Sequence, residues 1–342
     1  MKHITKQSIG IDCAKNDFAV TYSRCDSEMN LEHVSSRVFL NTNKGFEDFL
    51  KWQDKRSDSN VFLPFVMEAT GVYHERLACF LSDSGKFVSV IFPNRAKAFS
   101  KTLVVKTVND KESSKALATM GIEKKMDQWK KPDPTFNRIK QLTREREQWQ
   151  KHNTQAKNQL HAENAGAWIN KKTIARLTKQ ILFLNKLIQE IEQELKAVLN
   201  QNKELKEKVD KVITIPGVGL ITALTVIGET NGFKSMKNKR QLVSYSGYDI
   251  VEKSSGTSVR STPRMSKKGN RHIRKALHLP SLSSIRHNSD SKDLFARIVA
   301  KHGIKMKAVV AVQRKTLVLI YTLWKNNQVF DPQYLENKNR VD

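Results

Sequence analysis

Ser8-Ile9-Gly10-Ile11-Asp12 is a short apolar run of strand character that ends in a carboxylate. After Lys15-Asn16-Asp17 the chain continues as Phe18-Ala19-Val20-Thr21-Tyr22, where Phe18, Val20 and Tyr22 alternate at the strand period. Arg37-Val38-Phe39-Leu40 reads as a third strand, and the three predict an antiparallel meander. Gly45 to Lys55 then carries Phe46, Phe49 and Leu50 at helical spacing. Val61 to Met67 predicts a buried strand that ends at Glu68-Ala69-Thr70-Gly71. Val72 to Ser84 reads as a helix, and Lys86 to Ile91 as a fifth strand stopped by Pro93. Strand–helix–strand order after a meander predicts an α/β domain over residues 1–130, a mixed sheet with helices on its faces.

Residues 131–212 change character. Phe136 to Glu163 is a polar helix with Ile139, Leu142 and Trp149 on one face. From Ile174 the apolar positions run Leu177, Ile181, Leu184, Ile188, Ile191, Leu195, Val198, Leu205, Val209 and Val212, with Asn202 in the one missing slot. Steps that alternate three and four are a heptad seam, so this segment is expected to be a coiled coil, with Asn202 as a buried polar residue fixing register. An antiparallel hairpin and self-association through the seam both satisfy the pattern.

Residues 213–342 form the third expected domain, mainly helical. Ile215-Pro216-Gly217-Val218-Gly219 ahead of Ile221-Thr222-Ala223 reads as a helix-hairpin-helix turn, in which Gly217 and Gly219 leave backbone N–H groups for a phosphate. From Lys253 to Ser289 there is no acidic residue. Arg260, Arg264, Lys267, Lys268 and Arg271 lie in that run, which we read as a phosphate-binding surface. His272, His278 and His287 lie there without neighbouring carboxylates and read as phosphate contacts or core. Val309 to Trp324 is an apolar helix.

Over 342 residues the chain carries 60 Lys+Arg against 34 Asp+Glu, a net charge of +26. That excess points to a polyanionic partner, because a basic surface gains free energy by releasing counterions condensed on nucleic acid. An anionic membrane surface is the competing reading of that charge, and since no run of about 18 apolar residues exists, a transmembrane helix is not expected. The first thirty residues hold no apolar core of a secretory signal. Cys13, Cys25 and Cys79 are odd in number and follow no metal-ligand spacing, so neither a disulfide scaffold nor a structural zinc is expected. Together these features predict a cytoplasmic, nucleic-acid-handling protein.

In so basic a chain, a carboxylate at a strand end needs a reason. Asp12 closes the first strand, Glu68 closes the later apolar strand, and Asp110 heads a predicted helix through Met120. Adjacent strands and a helix packed across them would bring the three together. Converging carboxylates repel each other unless they hold a divalent cation, and Mg2+ takes oxygen ligands and pairs with phosphate substrates. Taken singly, Asp110 reads as a helix cap and Glu68 as a salt-bridge partner. As an ordered set, strand Asp, strand Glu and helix Asp in a meander-first domain resemble the RuvC-type RNase H-like nuclease fold.

The resemblance extends along the chain. Ile9-Gly10-Ile11-Asp12 with Ala14-Lys15, Met67-Glu68-Ala69-Thr70-Gly71-Val72-Tyr73, Ile91-Phe92-Pro93-Asn94, and Asp110 followed by Ala116-Leu117-Ala118 match one family in order. So do Ile215-Pro216-Gly217-Val218-Gly219, Ser255-Gly256-Thr257-Ser258-Val259-Arg260, and Arg264 through Asn270. The chain resembles the DEDD-type transposases of the insertion sequence 110 family, which include the Piv invertases. That resemblance implies a RuvC-like domain, a coiled coil and a C-terminal transposase domain, with one site shared between the first and last. It further implies a DNA recombinase guided by a structured RNA that pairs with donor and target DNA. By motif, the metal acids fall on Asp12, Glu68 and Asp110, and the nucleophilic serine on Ser255, with Ser254 and Ser258 one alignment step away. The family's second helix Asp is Ser113 here, with Glu112 beside it. One residue turns a helical side chain by about 100°. Ser113 as a ligand directly or through water, Glu112 reaching in, and a weakened site all remain open. On its own residues, Ser255 reads as a loop serine. A water-using nuclease or resolvase, and a non-catalytic nucleic-acid-binding copy, are the competing functions. Recombination on two duplexes implies a homo-oligomer, a dimer that pairs into a tetramer on DNA.

Overall fold

The computed structural model describes residues 3–69, 71–103, 109–252, 254–255 and 259–333, without the side chains of residues 254–255 and 259–260. The chain divides into two compact units, Met1–Lys131 and Pro132–Asp342.

In chain order the first unit contains β1 (Ile4–Cys13), β2 (Asp17–Asp26), β3 (Leu31–Leu40), α1 (Asn43–Asp54), β4 (Pro64–Glu68), α2 (Glu75–Asp83), β5 (Phe87–Ile91), α3 (Pro93–Ser100) and α4 (Asp110–Glu123). Among the described residues five strands make one sheet in the order β3-β2-β1-β4-β5. β1, β2 and β3 form the antiparallel meander, and β4 and β5 add in parallel to β1. This order and polarity are those of the RNase H-like fold. Strand alternation sorts the side chains. Ile9, Ile11, Phe18, Val20, Tyr22, Phe65 and Met67 face one core, built with Phe46, Phe49 and Trp52 of α1 and Leu77 and Leu81 of α2. Ser8, Gly10, Thr21 and Val66 belong to the other face, which α4 covers.

Small residues let α4 approach that face. A Cβ on Gly10 would lie 1.9 Å from the Ser114 carbonyl oxygen and 2.3 Å from the Ala118 nitrogen. A Cβ on Gly121 would lie 2.0 Å from Ser8 Oγ, and Thr21 Oγ1 is 2.7 Å from Ser114 Oγ. Gly121 over Ser8 and Ser114 over Gly10 mean that α4 runs antiparallel to β1. Its N-terminus therefore stands at the C-terminal end of β1.

The second unit is mostly helical. It contains α5 (Pro134–Ala165), α6 (Lys171–Asn200), α7 (Lys203–Val212), α8 (Leu220–Glu229), α9 (Lys239–Tyr245), β6 (Ile250–Val251), β7 (Ser254–Ser255), β8 (Val259–Arg260), β9 (Arg264–Met265), α10 (Arg271–Ala276), α11 (His278–His287), α12 (Ser289–His302) and α13 (Lys305–Asn326). β6 pairs with β9 and β7 with β8, each antiparallel.

α5 and α6 form an antiparallel hairpin. Arg138 pairs with Glu194, Arg146 Nε is 2.7 Å from Glu192 Oε1, and Asn153 Nδ2 donates to Asn185 Oδ1 at 2.7 Å. Leu177, Leu184, Ile188, Ile191 and Leu195 of the heptad seam are buried within the chain. The seam is thus taken up by the hairpin and does not supply the self-association surface that the heptads alone allowed. Asn202 is also not a seam residue. The helix ends at Asn200, and the Asn202 side chain caps α7 by accepting from the Leu205 N–H at 3.0 Å. The polar pair inside the hairpin is Asn153–Asn185, where Asn153 is buried. A slip of register would break that bond among apolar neighbours.

The base of the hairpin joins the core of the unit. Ile139, Leu142, Ile191 and Leu195 pack with Leu224, Ile227, Phe233, Leu317 and Ile320 in one cluster. α8 crosses α5 at Gly228, whose added Cβ would lie 2.9 Å from the Lys140 nitrogen.

Candidate active site and nucleic-acid interface

The acids occupy one end of one face. Ile11 of β1 is in register with Met67 of β4, so Asp12 and Glu68 are the next residues on two adjacent parallel strands. Alternation puts both on the α4 side, with Ser8, Gly10 and Val66. Asp110 is the first residue of α4 and stands at that same strand end. Its position is locally dictated: the Asn109 side chain caps the helix by accepting from the Glu112 N–H at 2.8 Å, and an acid in a first turn is favoured by the helix dipole.

Asp12 feels this neighbourhood. Burial pushes its carboxyl above the usual value, and the like charge of Asp110 pushes it further. The Ser113 hydroxyl and the Cys13 backbone N–H donate to it and pull the other way, but the net shift is upward. Beneath it, burial and the Asp12 charge push the Cys13 thiol up to about 12. Glu112 points elsewhere, its Oε1 2.8 Å from Lys115 Nζ. Ser113, at the position of the family's second helix acid, is therefore the residue that meets Asp12, and Glu112 beside it does not. Among the described residues no cluster of three or more His, Cys, Asp or Glu side chains is drawn tightly enough to hold a metal ion as it stands. The donor set nevertheless fits a divalent cation: two carboxylates close enough to repel, a third at the adjacent register position, and a hydroxyl, all oxygen.

In the second unit, Ser255 lies in β7, paired with Val259 of β8 across a short hairpin. Its side chain and those of Ser254 and Arg260 lie outside the described residues, as do residues 256–258 with Ser258.

The basic loop after this hairpin is stitched to the end of α9. Gly269 packs against Gly247, where an added Cβ would lie 2.5 Å from the Gly247 nitrogen and from the Tyr245 oxygen. Ser266 Oγ donates to Asp249 Oδ1 at 2.6 Å, and the Asn270 N–H donates to the Tyr245 carbonyl at 2.8 Å. Lys267, in the left-handed region at φ 54°, donates its N–H to the Gly247 carbonyl at 3.2 Å. So held, the loop exposes Arg264, Lys267, Lys268 and Arg271, none of which has an ion-pair partner among the described residues.

Two part-buried networks fix the elements around this loop, and sequence reasoning found neither. Arg144 of α5 grips Glu229 of α8 with two bonds, of 2.5 and 2.8 Å, and Asn270 Nδ2 donates to the same carboxylate at 2.6 Å. Burial alone would raise Glu229; the Arg144 and Asn270 hydrogen bonds outweigh it and hold the group below its usual value. Asn270 also caps α10, accepting from the His272 and Ile273 N–H groups. In the second network Glu147 of α5 takes His272 Nδ1 at 2.6 Å and Lys275 Nζ at 3.0 Å. His272 thus has a carboxylate partner after all, supplied from 125 residues away. His278 Nδ1 meets Gln313 Nε2 at 3.0 Å, while His287 is exposed. Glu147 carries no signal in the sequence, being one acid on a charge-rich helix.

The glycine turn is divided in its duties. Gly217, at φ +87°, packs under α11, and an added Cβ would lie 2.5 Å from the Pro280 carbonyl oxygen. Gly219 is the exposed N-cap of α8, gives the helix no side-chain cap, and has nothing within 4 Å of an added Cβ. No helix among the described residues is long and apolar enough to cross a membrane.

Over most of its length the chain is similar to known transposases. A transposase model of the IS110 DEDD type matches residues 9–163, and a model described as the transposase IS116/IS110/IS902 family matches residues 209–296. The pilin gene-inverting protein of Moraxella lacunata is 26% identical over 338 residues, which cover 97% of this chain and 100% of that protein. The transposase for insertion sequence element IS1111A of Coxiella burnetii is 28% identical over 163 residues, 47% of this chain and 43% of that one. T. thermophilus RuvC, solved in complex with a Holliday junction substrate, aligns over 33% of this chain and 90% of its own at 8% identity. Its TM-score is 0.25, so the fold assignment rests on the strand order of the sheet and not on that match. Two family models in sequence order and a relative aligned end to end converge on one conclusion: this chain belongs to the IS110 family of transposases.

Proposed function

We propose that this transposase cuts and exchanges DNA strands through a covalent serine intermediate, at sites selected by an element-encoded structured RNA. The observation that carries the reading is the placement of Asp12, Glu68 and Asp110 at one strand end beneath the head of α4. In this reading residues 1–130 provide the acid site, 131–212 the helical spacer, and 213–342 the nucleophile and the phosphate-binding loop. Asp12, Glu68 and Asp110 hold Mg2+, which when bound supplies positive charge against a developing oxyanion. The Ser255 hydroxyl attacks phosphorus: the Oγ–P bond forms, the P–O3′ bond breaks, and the serine proton ends on the released 3′ oxygen. One phosphodiester replaces another, so a 3′ hydroxyl of a second strand reverses the step with no high-energy cofactor. Arg260, Arg264, Lys267, Lys268 and Arg271 contact phosphate, and the Gly219 end of α8, set by the Gly217 turn, offers backbone N–H groups to another. The gene inversion named for the full-length relative supports exchange rather than cutting alone. Exchange between two duplexes calls for a dimer pairing into a tetramer on DNA, and the exposed Trp168, Ile169, Leu182 and Phe183 of the hairpin supply apolar area for assembly.

The test is a strand-exchange assay with donor DNA, target DNA, Mg2+ and RNA transcribed from the flanks of the element. The recombinant joint forms with the wild-type chain and is lost in Asp12→Asn and on omission of the RNA. A joint formed equally well without RNA contradicts the guided reading.

A further inference from the structure

Asp12 and Glu68 stand at the C-terminal ends of β1 and β4, and each of these strands runs on into a loop. The β1–β4 register sets the two acids side by side, and the ladder ends at them, so their final separation also depends on how the two loops are held. A side chain at the end of β3 joins them. Asn41, at the end of β3 and 8% exposed, donates from Nδ2 to the Ala14 carbonyl at 3.0 Å and to the Tyr73 carbonyl at 3.1 Å. Ala14 is two residues beyond Asp12, and Tyr73 is five beyond Glu68. The Asn41 backbone N–H makes a third tie, to the Asn16 carbonyl at 2.8 Å. Both side-chain acceptors are carbonyl oxygens, so the amide nitrogen must face them.

Asn41 is itself rigidly held. Leu40 pairs with Asp17 in the ladder, and Thr42 caps α1 by accepting from the Gly45 N–H at 3.2 Å. A Cβ on Gly45 would lie 2.0 Å from the Leu40 oxygen, so the turn after β3 is closed as tightly as backbone allows. The other half of the amide is costly to keep. Asn41 Oδ1 is buried without a hydrogen-bond partner among the described residues. A buried unsatisfied acceptor is destabilising, and a leucine of nearly the same shape would avoid the cost. Its two donated bonds join the β1–β2 turn to the β4–α2 loop.

We propose that Asn41 is a positioning residue of the acid site, setting the separation of Asp12 and Glu68 for a divalent cation. The inference rests on the metal role proposed for those two acids. Asn41 touches neither cation nor substrate, acting through the backbone of the two loops.

The full-length chain is titrated with Mn2+, standing in for Mg2+, and free Mn2+ is read by electron paramagnetic resonance. Four proteins are compared: wild type, Asn41→Leu, Asn41→Ala and Asp12→Asn. Asn41→Leu keeps the volume and removes both donors, which protects the fold where Asn41→Ala leaves a cavity. Asp12→Asn is expected to abolish the site. Both Asn41 variants are expected to weaken Mn2+ by up to about tenfold, the lower end of the loss on removing a direct outer-shell partner, because Asn41 acts one step further out. In Asn41→Leu the melting temperature and duplex affinity stay near wild type, and excess Mn2+ restores strand cleavage. Wild-type Mn2+ affinity in both Asn41 variants overturns the inference while leaving the metal reading standing. A loss that excess Mn2+ does not restore, with a fallen melting temperature, makes Asn41 a residue of general stability and also overturns it. Equal Mn2+ binding by wild type and Asp12→Asn removes the metal reading itself, and this inference with it.

Discussion

Gly10 and Ser114 are in contact so close that no side chain fits between them: a Cβ on Gly10 would lie 1.9 Å from the Ser114 carbonyl oxygen. The contact sets the distance of α4 from β1, and through it the place of Asp110 beside Asp12. Gly10→Ala is expected to cost at least about 1–3 kcal/mol, as overpacking against backbone does, and to separate the two acids. Urea unfolding checks the first effect. Gly166→Ala, at φ −72° with nothing closer than 3.6 Å to the added Cβ, is the control and should shift stability by less than about 0.5 kcal/mol.

Asp12 is strained electrostatically, and its replacement should show it. Its carboxyl titrates above the usual value in the folded chain, so the charged form destabilises the fold. That penalty is full above the folded pKa, declines as pH falls through it, and is gone below the unfolded value of 3.8. Asp12→Asn is therefore expected to raise the melting temperature at neutral pH while abolishing strand exchange, and to lose its advantage in acid. Melting curves from pH 3 to 8 test the sign; an advantage that grows as pH falls would contradict it.

The Arg144–Glu229 pair behaves oppositely. Glu229 is held below its usual value, so its stabilisation is present above the unfolded 4.5 and is lost as pH falls through the folded value. Arg144→Ala leaves a fully buried carboxylate with Asn270 as its side-chain partner. The expected cost is about 3 kcal/mol, the low end for a broken buried pair because the Arg144 side chain is 43% exposed. Denaturation of wild type and variant at pH 7 and pH 3 should show the difference shrinking in acid.

Lys267 and Lys268 stand on a loop whose shape depends on Gly247, Gly269 and Asn270 and not on their own charges. Replacing both with glutamine should therefore preserve folding and weaken duplex binding. The slope of log affinity against log salt is expected to fall by about one for each phosphate contact removed. An unchanged slope in a filter-binding series would place the phosphates elsewhere.

Much of the first unit is legible in the sequence because burial and strand period coincide there. Ile9, Ile11, Phe18, Val20 and Tyr22 alternate, and the meander is the result. Asp12, Glu68 and Asp110 stand out as carboxylates at element ends in a basic chain. The heptad run misleads in one respect. Its period is blind to the break at Asn200–Lys203, where Asn202 turns from a seam residue into a cap. Periodicity also does not say whether a seam meets another chain or, as here, α5. The tertiary ties stay hidden for a simpler reason. Asn41 with Ala14 and Tyr73, Glu147 with His272, and Arg144 with Glu229 join residues 27 to 125 positions apart, and no local pattern marks either end.

A covalent serine intermediate is read directly on a denaturing gel. Wild type, Ser255→Ala and Asp12→Asn are incubated with labelled donor and target DNA, flanking RNA and Mg2+, and then boiled in detergent. A protein–DNA adduct is expected in wild type and absent from both variants. Cut strands without an adduct in wild type, produced equally by Ser255→Ala, would contradict the serine intermediate and make the protein a hydrolytic nuclease.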